Sequence, residues 1–135
     1  MNIIEWSEVF ATGHPLIDHQ HQSLFTLMNE LDQSLAQGAS EEALWVRLLR
    51  LHELTREHFR CEERLMQEQG FPQLSAHRAE HTKILLNGER LMEQYRHGQL
   101  RLGEALPEKL HGWAVRHILE EDLQLATFMR QRARQ

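Results

Sequence analysis

The stretch LIDHQHQSLFTLMNELDQSLAQ, residues 16–37, sets the fold class because its apolar residues recur at intervals of three and four. These residues are Leu24, Leu27, Met28, Leu31 and Leu35. Such spacing places them on one face of an α-helix. The preceding residue is a proline, which the first turn of a helix tolerates, and the residue after the stretch is a glycine, which commonly ends a helix. The stretch therefore predicts an amphipathic helix with one buried face.

Three further helical patterns follow, at about 41–69, 75–97 and 104–133. Ser40 is a good N-cap for the first of these, and Gly70-Phe71-Pro72 ends it. No segment alternates apolar and polar residues as a half-buried strand does. Four amphipathic helices joined by short connections can bury their apolar faces against one another. We therefore predict an all-α protein, an antiparallel up-down-up-down four-helix bundle, forming one domain over residues 1–135.

Composition narrows the classes of function. The net charge of −5 argues against nucleic acid or an anionic membrane as partner. Cys61 is the only cysteine, so an intrachain disulfide and a cysteine-based zinc site are excluded. The first ten residues, MNIIEWSEVF, lack the basic and apolar regions of a signal peptide. A cytoplasmic location is expected.

Histidine is unusually abundant, with ten in 135 residues, and two pairs have the spacing of metal ligands. His58 and Glu62 are four residues apart on the second predicted helix, and His77 and His81 are four apart on the third. Four residues turn a helix by about 400°, so each pair projects from nearly one face. A single histidine is most often an ordinary surface or core residue. Two such pairs on neighbouring helices instead indicate a metal site.

The outer helices offer His21 on the first and His117 with Asp122 on the fourth. The five-residue step from His117 to Asp122 turns about 500°, which leaves the two side chains about 140° apart on an ideal helix. Geometry alone does not select this pair. A carboxylate that bridges two metals from the side, or a local π-bulge, would reconcile the spacing with a shared site.

From Trp6 to about Phe128 the chain resembles the bacterial hemerythrins. The matching segments are Ile17-Asp18-His19-Gln20-His21 with Leu24-Phe25, His58-Phe59-Arg60-Cys61-Glu62-Glu63, Gly70-Phe71-Pro72 with His77 and His81, and Trp113 with His117-Ile118 and Asp122. The resemblance implies a di-iron centre of two non-haem irons joined by an oxo or hydroxo bridge. One iron would be bound by His77, His81 and His117, the other by His21 and His58, with Glu62 and Asp122 bridging both.

This implied ligand set favours reversible O2 binding. Five imidazoles, two bridging carboxylates and one oxygen bridge leave one open position on two octahedral irons, at the iron with two histidines. O2, or a small anion such as azide, would bind there. Di-iron oxidases are richer in carboxylates, so we expect no catalytic residue and no enzymatic activity.

Three alternatives stay open. The fourth helical pattern has no glycine or proline stop, which is compatible with an N-terminal O2 or redox sensory domain that controls a downstream signalling domain. A di-iron oxidase or peroxidase is the second alternative. Ligand type alone does not exclude zinc.

Side chains near the predicted ligands would line the O2 pocket, and these are Phe25, Phe59, Trp113, Ala114 and Ile118. The family usually carries leucine where this chain has Ala114. The smaller side chain predicts easier access for water and faster autoxidation. No metal role is expected for the remaining histidines, which are His14, His19, His52, His97 and His111.

Overall fold

The protein is a four-helix bundle, seen in a computed structural model that describes residues 4–99, 109, 111–113 and 115–133. Helix α1 spans Pro15–Ala36, α2 spans Glu41–Gln69 and α3 spans Leu74–Arg96. Helix α4 is described at 109, 111–113 and 115–133. Within it Ile118–Asp122 form a π-helical turn and Leu123–Ala133 continue as α-helix. The described residues contain no strand, so the prediction of an all-α bundle is confirmed.

Helix ends form where the sequence supplies capping groups. The side chain of His14 accepts a hydrogen bond from the backbone N–H of Ile17, and Pro15 occupies the first turn of α1. Ser40 caps α2, its Oγ accepting from the N–H of Ala43 at 3.2 Å. Gly70 ends α2 in the left-handed conformation with φ of 68°. The observed bounds of α1, α2 and α3 lie within one residue of the predicted ones, and residue 104, the predicted start of α4, lies outside the described residues.

Two apolar clusters fill the bundle at different heights along α2. The larger one takes Leu44, Leu48 and Leu51 from α2, together with apolar residues of α1. The smaller one takes Met66 from α2 and packs it against Phe71 and Leu125. Between these clusters α2 buries polar side chains, including those of His58 and Glu62. The polar layer is therefore enclosed by apolar packing on both sides.

The segment before α1 is fastened to the bundle. Asn29 of α1 accepts a hydrogen bond from the backbone N–H of Ile4 at 3.1 Å and donates one to its carbonyl at 2.7 Å. The ring of Phe25 packs edge-on against that of Phe10, with centroids 5.1 Å apart, and also contacts Trp6. These contacts cover one side of α1. None of the helices in the described residues combines the length and apolar character that crossing a membrane requires.

Candidate metal centre

All four helices send polar side chains into one buried layer. These are His21 from α1, His58 and Glu62 from α2, His77 and His81 from α3, and His117 and Asp122 from α4. Each is at most 4% exposed. Charged and polar groups are rarely buried to this extent unless they are paired or hold a metal. All seven residues singled out from the sequence therefore lie together.

The layer divides into two groups that share both carboxylates. In the first group the donor atoms of His77, His81 and His117 lie with those of Glu62 and Asp122 within 4.8 Å of one another. The second group contains His21 and His58 with the same two carboxylates. Each carboxylate has two oxygens, so each can face both groups. Donor groups of this kind can hold a metal ion.

The π-helical turn Ile118–Asp122 brings Asp122 into the layer. It follows His117 directly, and the wider turn lets a side chain five residues further on face the same interior. His117 Nε2 lies 3.1 Å from Asp122 Oδ1. A local π-bulge, one of the two features that could reconcile this spacing with a shared site, is therefore present.

Both carboxylates hold their negative charge inside the protein. Burial pushes the pKa of Glu62 upward, but interactions with His58, His77 and His81 outweigh it and hold the pKa well below its ordinary value. Burial and the nearby charge of Glu62 raise the pKa of Asp122, yet His117 and His21 outweigh both and lower that pKa to about 2. The layer therefore contains two buried anions that need positive charge beside them.

In the metal-free protein two histidines supply part of that charge. Burial lowers the pKa of His77, but Asp122 and Glu62 outweigh burial and raise the pKa to about 10. His77 Nε2 lies 2.7 Å from Glu62 Oε1 and 3.0 Å from Asp122 Oδ1. The pKa of His117 is also raised, because Asp122 and Glu62 overcome the effect of burial. A bound cation would take the place of these protons.

Many donor atoms in this layer have no hydrogen bond. Among the described residues, the buried atoms without one include both ring nitrogens of His21, Nε2 of His58, His81 and His117, both oxygens of Glu62, and Asp122 Oδ2. His21 Nε2 is only 3.0 Å from Asp122 Oδ2, but the direction does not form a hydrogen bond. Leaving a buried polar group unsatisfied costs about 1–3 kcal/mol. Inward-facing imidazole and carboxylate lone pairs fit metal ions well and hydrogen bonds poorly.

Aromatic rings form the wall beside the three-histidine group. Phe59 stacks on His81 with centroids 3.8 Å apart, and Trp113 lies parallel to His117 at 6.3 Å. Ile118 is buried directly after His117. The ring contacts of Phe25 are with Trp6 and Phe10, in the apolar cluster rather than against a histidine ring. Ala114, the fifth predicted pocket residue, lies outside the described residues.

The sequence did not predict the hydrogen-bond partners of two histidine nitrogens that face away from the buried layer. His58 Nδ1 lies 2.6 Å from Gln20 Oε1, and His81 Nδ1 lies 2.9 Å from Glu63 Oε2. Arg78 donates from Nε to the other oxygen of Glu63 at 2.9 Å. The sequence offers one indication of these partners: Gln20, Glu63 and Arg78 each stand next to a predicted ligand.

The other described histidines stand apart from the layer. His14 caps α1 and His52 lies 3.4 Å from Glu89, while neither belongs to a group that could hold a metal. His19, His97 and His111 are exposed. No group of three or more potential metal donors other than the two sharing Glu62 and Asp122 occurs in the described part of the chain.

A bundle of this kind, with a buried histidine-rich layer and two shared carboxylates, defines the class as metal-binding four-helix proteins. Residues 12–129 match the hemerythrin HHE cation binding domain, and the chain belongs to that family. Together, the family and the donor set identify a non-haem iron protein.

Relatives and solved structures agree over nearly the whole chain. It is 28% identical to a bacteriohemerythrin of Methylococcus capsulatus, covering 90% of this chain and 93% of the relative. It is 30% identical to one of Ralstonia nicotianae, covering 98% and 93%. A crystal structure of a hemerythrin leucine-to-alanine mutant superposes with a TM-score of 0.88 at 27% identity, covering 95% of this chain and 98% of that one. The wild-type hemerythrin gives 0.86 at 26% identity, covering 92% and 95%.

Proposed function

We propose that the chain binds two irons in the buried layer and takes up O2 reversibly at one of them. His77, His81 and His117 would bind the first iron, His21 and His58 the second, and Glu62 and Asp122 would bridge them. A ferrous pair, when bound, supplies the electrons that reversible O2 uptake requires. The activity proposed is binding, without turnover of a substrate.

The observation that carries this proposal is the unequal size of the two donor groups. The three-histidine group offers five residues and the two-histidine group four, with both carboxylates counted in each. If the two metals have the same coordination number, the metal beside His21 and His58 has one more coordination position that the chain does not fill. That side is where we expect an exogenous ligand.

The donor types favour binding over oxidation chemistry. The two groups hold five imidazoles against two carboxylates. Neutral imidazoles favour the reduced state of iron more than carboxylates do, and they support strongly oxidised states less. Phe59 and Trp113 add an apolar wall beside the three-histidine group, and Phe59 also reaches the two-histidine group, its ring centroid 5.9 Å from that of His58. Such a wall limits the access of water and protons.

The first experiment measures metal content and the visible spectrum of the purified chain. Two irons per chain, a colourless reduced form under anaerobic conditions, and a visible band that appears with O2 and disappears when the gas is removed would support the proposal. Zinc in place of iron, or no metal, would contradict it. Continuous consumption of O2 with excess reductant, lost in Glu62→Gln, would indicate an oxidase instead.

A sensory role is the second candidate, favoured by the way α4 leaves the metal layer. Asp122 is followed without a break by Leu123–Ala133, and Arg132 of this segment donates a hydrogen bond to the carbonyl of Gln69 at the end of α2. A shift at Asp122 would therefore be passed along a continuous helix. Hydrogen exchange at 123–133 that differs between the reduced and oxygenated forms would support sensing, and identical exchange would count against it.

A further inference from the structure

The two proposed metal positions differ in the side chain that contacts the outward-facing nitrogen of a histidine ring. His58 and His81 each direct Nε2 toward Glu62, at 3.2 and 3.3 Å, and Nδ1 away from the layer. The outer nitrogen of His58 meets the amide oxygen of Gln20 at 2.6 Å. The outer nitrogen of His81 meets a carboxylate oxygen of Glu63 at 2.9 Å. One position therefore has a neutral acceptor behind it and the other has an anion.

We propose that Gln20 and Glu63 are positioning residues for the metal pair, and that the difference between amide and carboxylate makes the two metal positions electronically unequal. The proposal rests on the di-iron assignment above. It concerns residues of α1 and α2 that do not face the metals themselves.

Each acceptor selects one tautomer of its histidine. An oxygen within hydrogen-bond distance of Nδ1 accepts a hydrogen bond from Nδ1–H, so the neutral ring has its free lone pair at Nε2. That is the nitrogen that faces Glu62 and the interior in both rings. The acceptor also fixes the plane of the ring, because a ring rotation would break the bond. Both histidines are therefore prepared for metal binding before any metal arrives.

The carboxylate does more than hold the ring. An anionic acceptor draws the Nδ1 proton of His81 more strongly than an amide does, which makes the imidazole a stronger electron donor to a metal. A stronger donor stabilises the more highly charged metal state. We therefore expect the three-histidine position to favour the ferric state more than the two-histidine position does.

Arg78 holds Glu63 in place for this role. Its guanidinium donates to Glu63 Oε1 at 2.9 Å, while Oε2 faces His81. The side chains of Arg78 and Glu63 are 52% and 21% exposed, and ion pairs at such exposure add little to stability. The pair is therefore better explained by orientation of His81 than by stability of the bundle.

The experiment measures two quantities on the full chain, the affinity of the metal-free protein for Zn2+ and the midpoint potential of the iron-loaded protein. Glu63→Ala removes the acceptor and should weaken Zn2+ binding about 10- to 100-fold. Glu63→Gln keeps an acceptor but removes the charge, so it should recover most of that affinity while raising the midpoint potential. Gln20→Glu places a carboxylate behind His58 and should lower the potential.

Glu89→Gln is the matched control. Glu89 pairs with Arg56 at 3.0 Å across the same two helices, α2 and α3, at similar exposure to Arg78 but away from the seven inward-facing side chains. It should change neither Zn2+ affinity nor potential. Equal unfolding free energies of the metal-free Glu63 variants and the wild type would exclude a merely structural role.

Two results would overturn the inference. In one, Glu63→Ala binds Zn2+ within twofold of wild type. In the other, Glu63→Gln and Gln20→Glu shift the potential in the same direction or not at all. A wild-type chain that loads two metals while its variants behave identically would reject this inference alone. A wild-type chain that loads no metal would reject the proposed function, and this inference with it.

Discussion

The ring of Phe59 lies flat against the imidazole of His81, with centroids 3.8 Å apart and planes 4° apart. Phe59 is one residue after His58 on α2, so one helix supplies both a metal-facing histidine and the surface that supports a second one on α3. Together with the hydrogen bond that His81 Nδ1 donates to Glu63, this contact fixes the plane of the His81 ring. Packing and site geometry are therefore coupled at Phe59.

Replacing Phe59 should be costly because the side chain is only 1% exposed. We expect Phe59→Ala to lower the unfolding free energy of the metal-free protein by about 3–5 kcal/mol, through lost burial and the cavity left behind. Urea unfolding measures this change. The control is Val46→Ala, at a position 57% exposed on the same helix, where a change within about 0.5 kcal/mol is expected. Similar losses of unfolding free energy in both variants would contradict the assignment of Phe59 to the packed interior.

Removal of a shared carboxylate should affect both metals, whereas removal of an unshared histidine should affect one. Glu62 belongs to both donor groups and His21 to one. We expect Glu62→Gln to lose both irons and His21→Ala to retain about one per chain. Metal analysis of the purified variants, at matched folding by circular dichroism, checks this. Full loading of Glu62→Gln would show that the two groups do not depend on a common bridge.

The metal-free protein should become less stable as the pH rises above neutrality. The pKa of His77 is about 10 in the folded protein against an ordinary 6.5. A raised folded pKa contributes stability that is complete below about pH 6.5 and is lost as the pH rises toward 10. On the acid side the pKa of Asp122 is about 2 against 3.8, so its contribution is present above 3.8 and is lost as the pH falls toward 2.

Unfolding free energies of the metal-free chain between pH 3 and 10 measure this profile, with a maximum expected between the two windows. His77→Gln should make the alkaline side less steep without removing the slope, since His117, whose pKa is also raised, is still present. Metal binding replaces the proton on His77, so the affinity for metal should increase over the alkaline window. A wild-type profile that stays level from pH 6.5 to 10 would refute the role given to His77.

Ala114 leads to a prediction that rests on the family resemblance and not on the structure. The family usually has leucine here, and the larger side chain should hinder the approach of water and small anions to the iron. We expect Ala114→Leu to slow autoxidation of the oxygenated protein. Spectroscopic decay rates of the two proteins, at equal iron content, provide the test. An unchanged or faster rate in Ala114→Leu would contradict the prediction that this alanine speeds autoxidation.

Most of the fold follows from local patterns in the sequence. The apolar residues of 16–37 predict the buried face of α1, and Ser40 and Gly70 act as the expected start and stop signals of α2. These features depend only on helix periodicity and on capping chemistry within a few residues. The pairing of Ile4 with Asn29 was not predictable, because it joins segments 25 residues apart without any periodic signal.

The candidate site was predictable to a different degree for each residue. The four-residue spacing of His58 with Glu62 and of His77 with His81 indicates a common face directly. Asp122 required the family resemblance, since an ideal helix turns it away from His117 and the sequence does not reveal a π-helical turn. The contacts of Glu63 and Gln20 were not predicted, because a hydrogen bond to the outward-facing nitrogen of a histidine has no fixed sequence spacing. Their partners are set by how the helices pack.

The π-helical turn at Ile118–Asp122 also links the metal layer to the packing of the end of α4. It adds one residue to a turn of α4, so Leu123–Ala133 is rotated relative to a regular continuation of the preceding segment. Deleting one residue there would give a more regular helix while moving Asp122 out of the layer. The same turn sets which face of Leu123–Ala133 points inward, where Leu125 and Ala126 are buried. Because one residue turns a helix by about 100°, the deletion would also rotate Leu125 away from Met66 and Phe71, so the unwound turn keeps two interiors in register, one polar and one apolar.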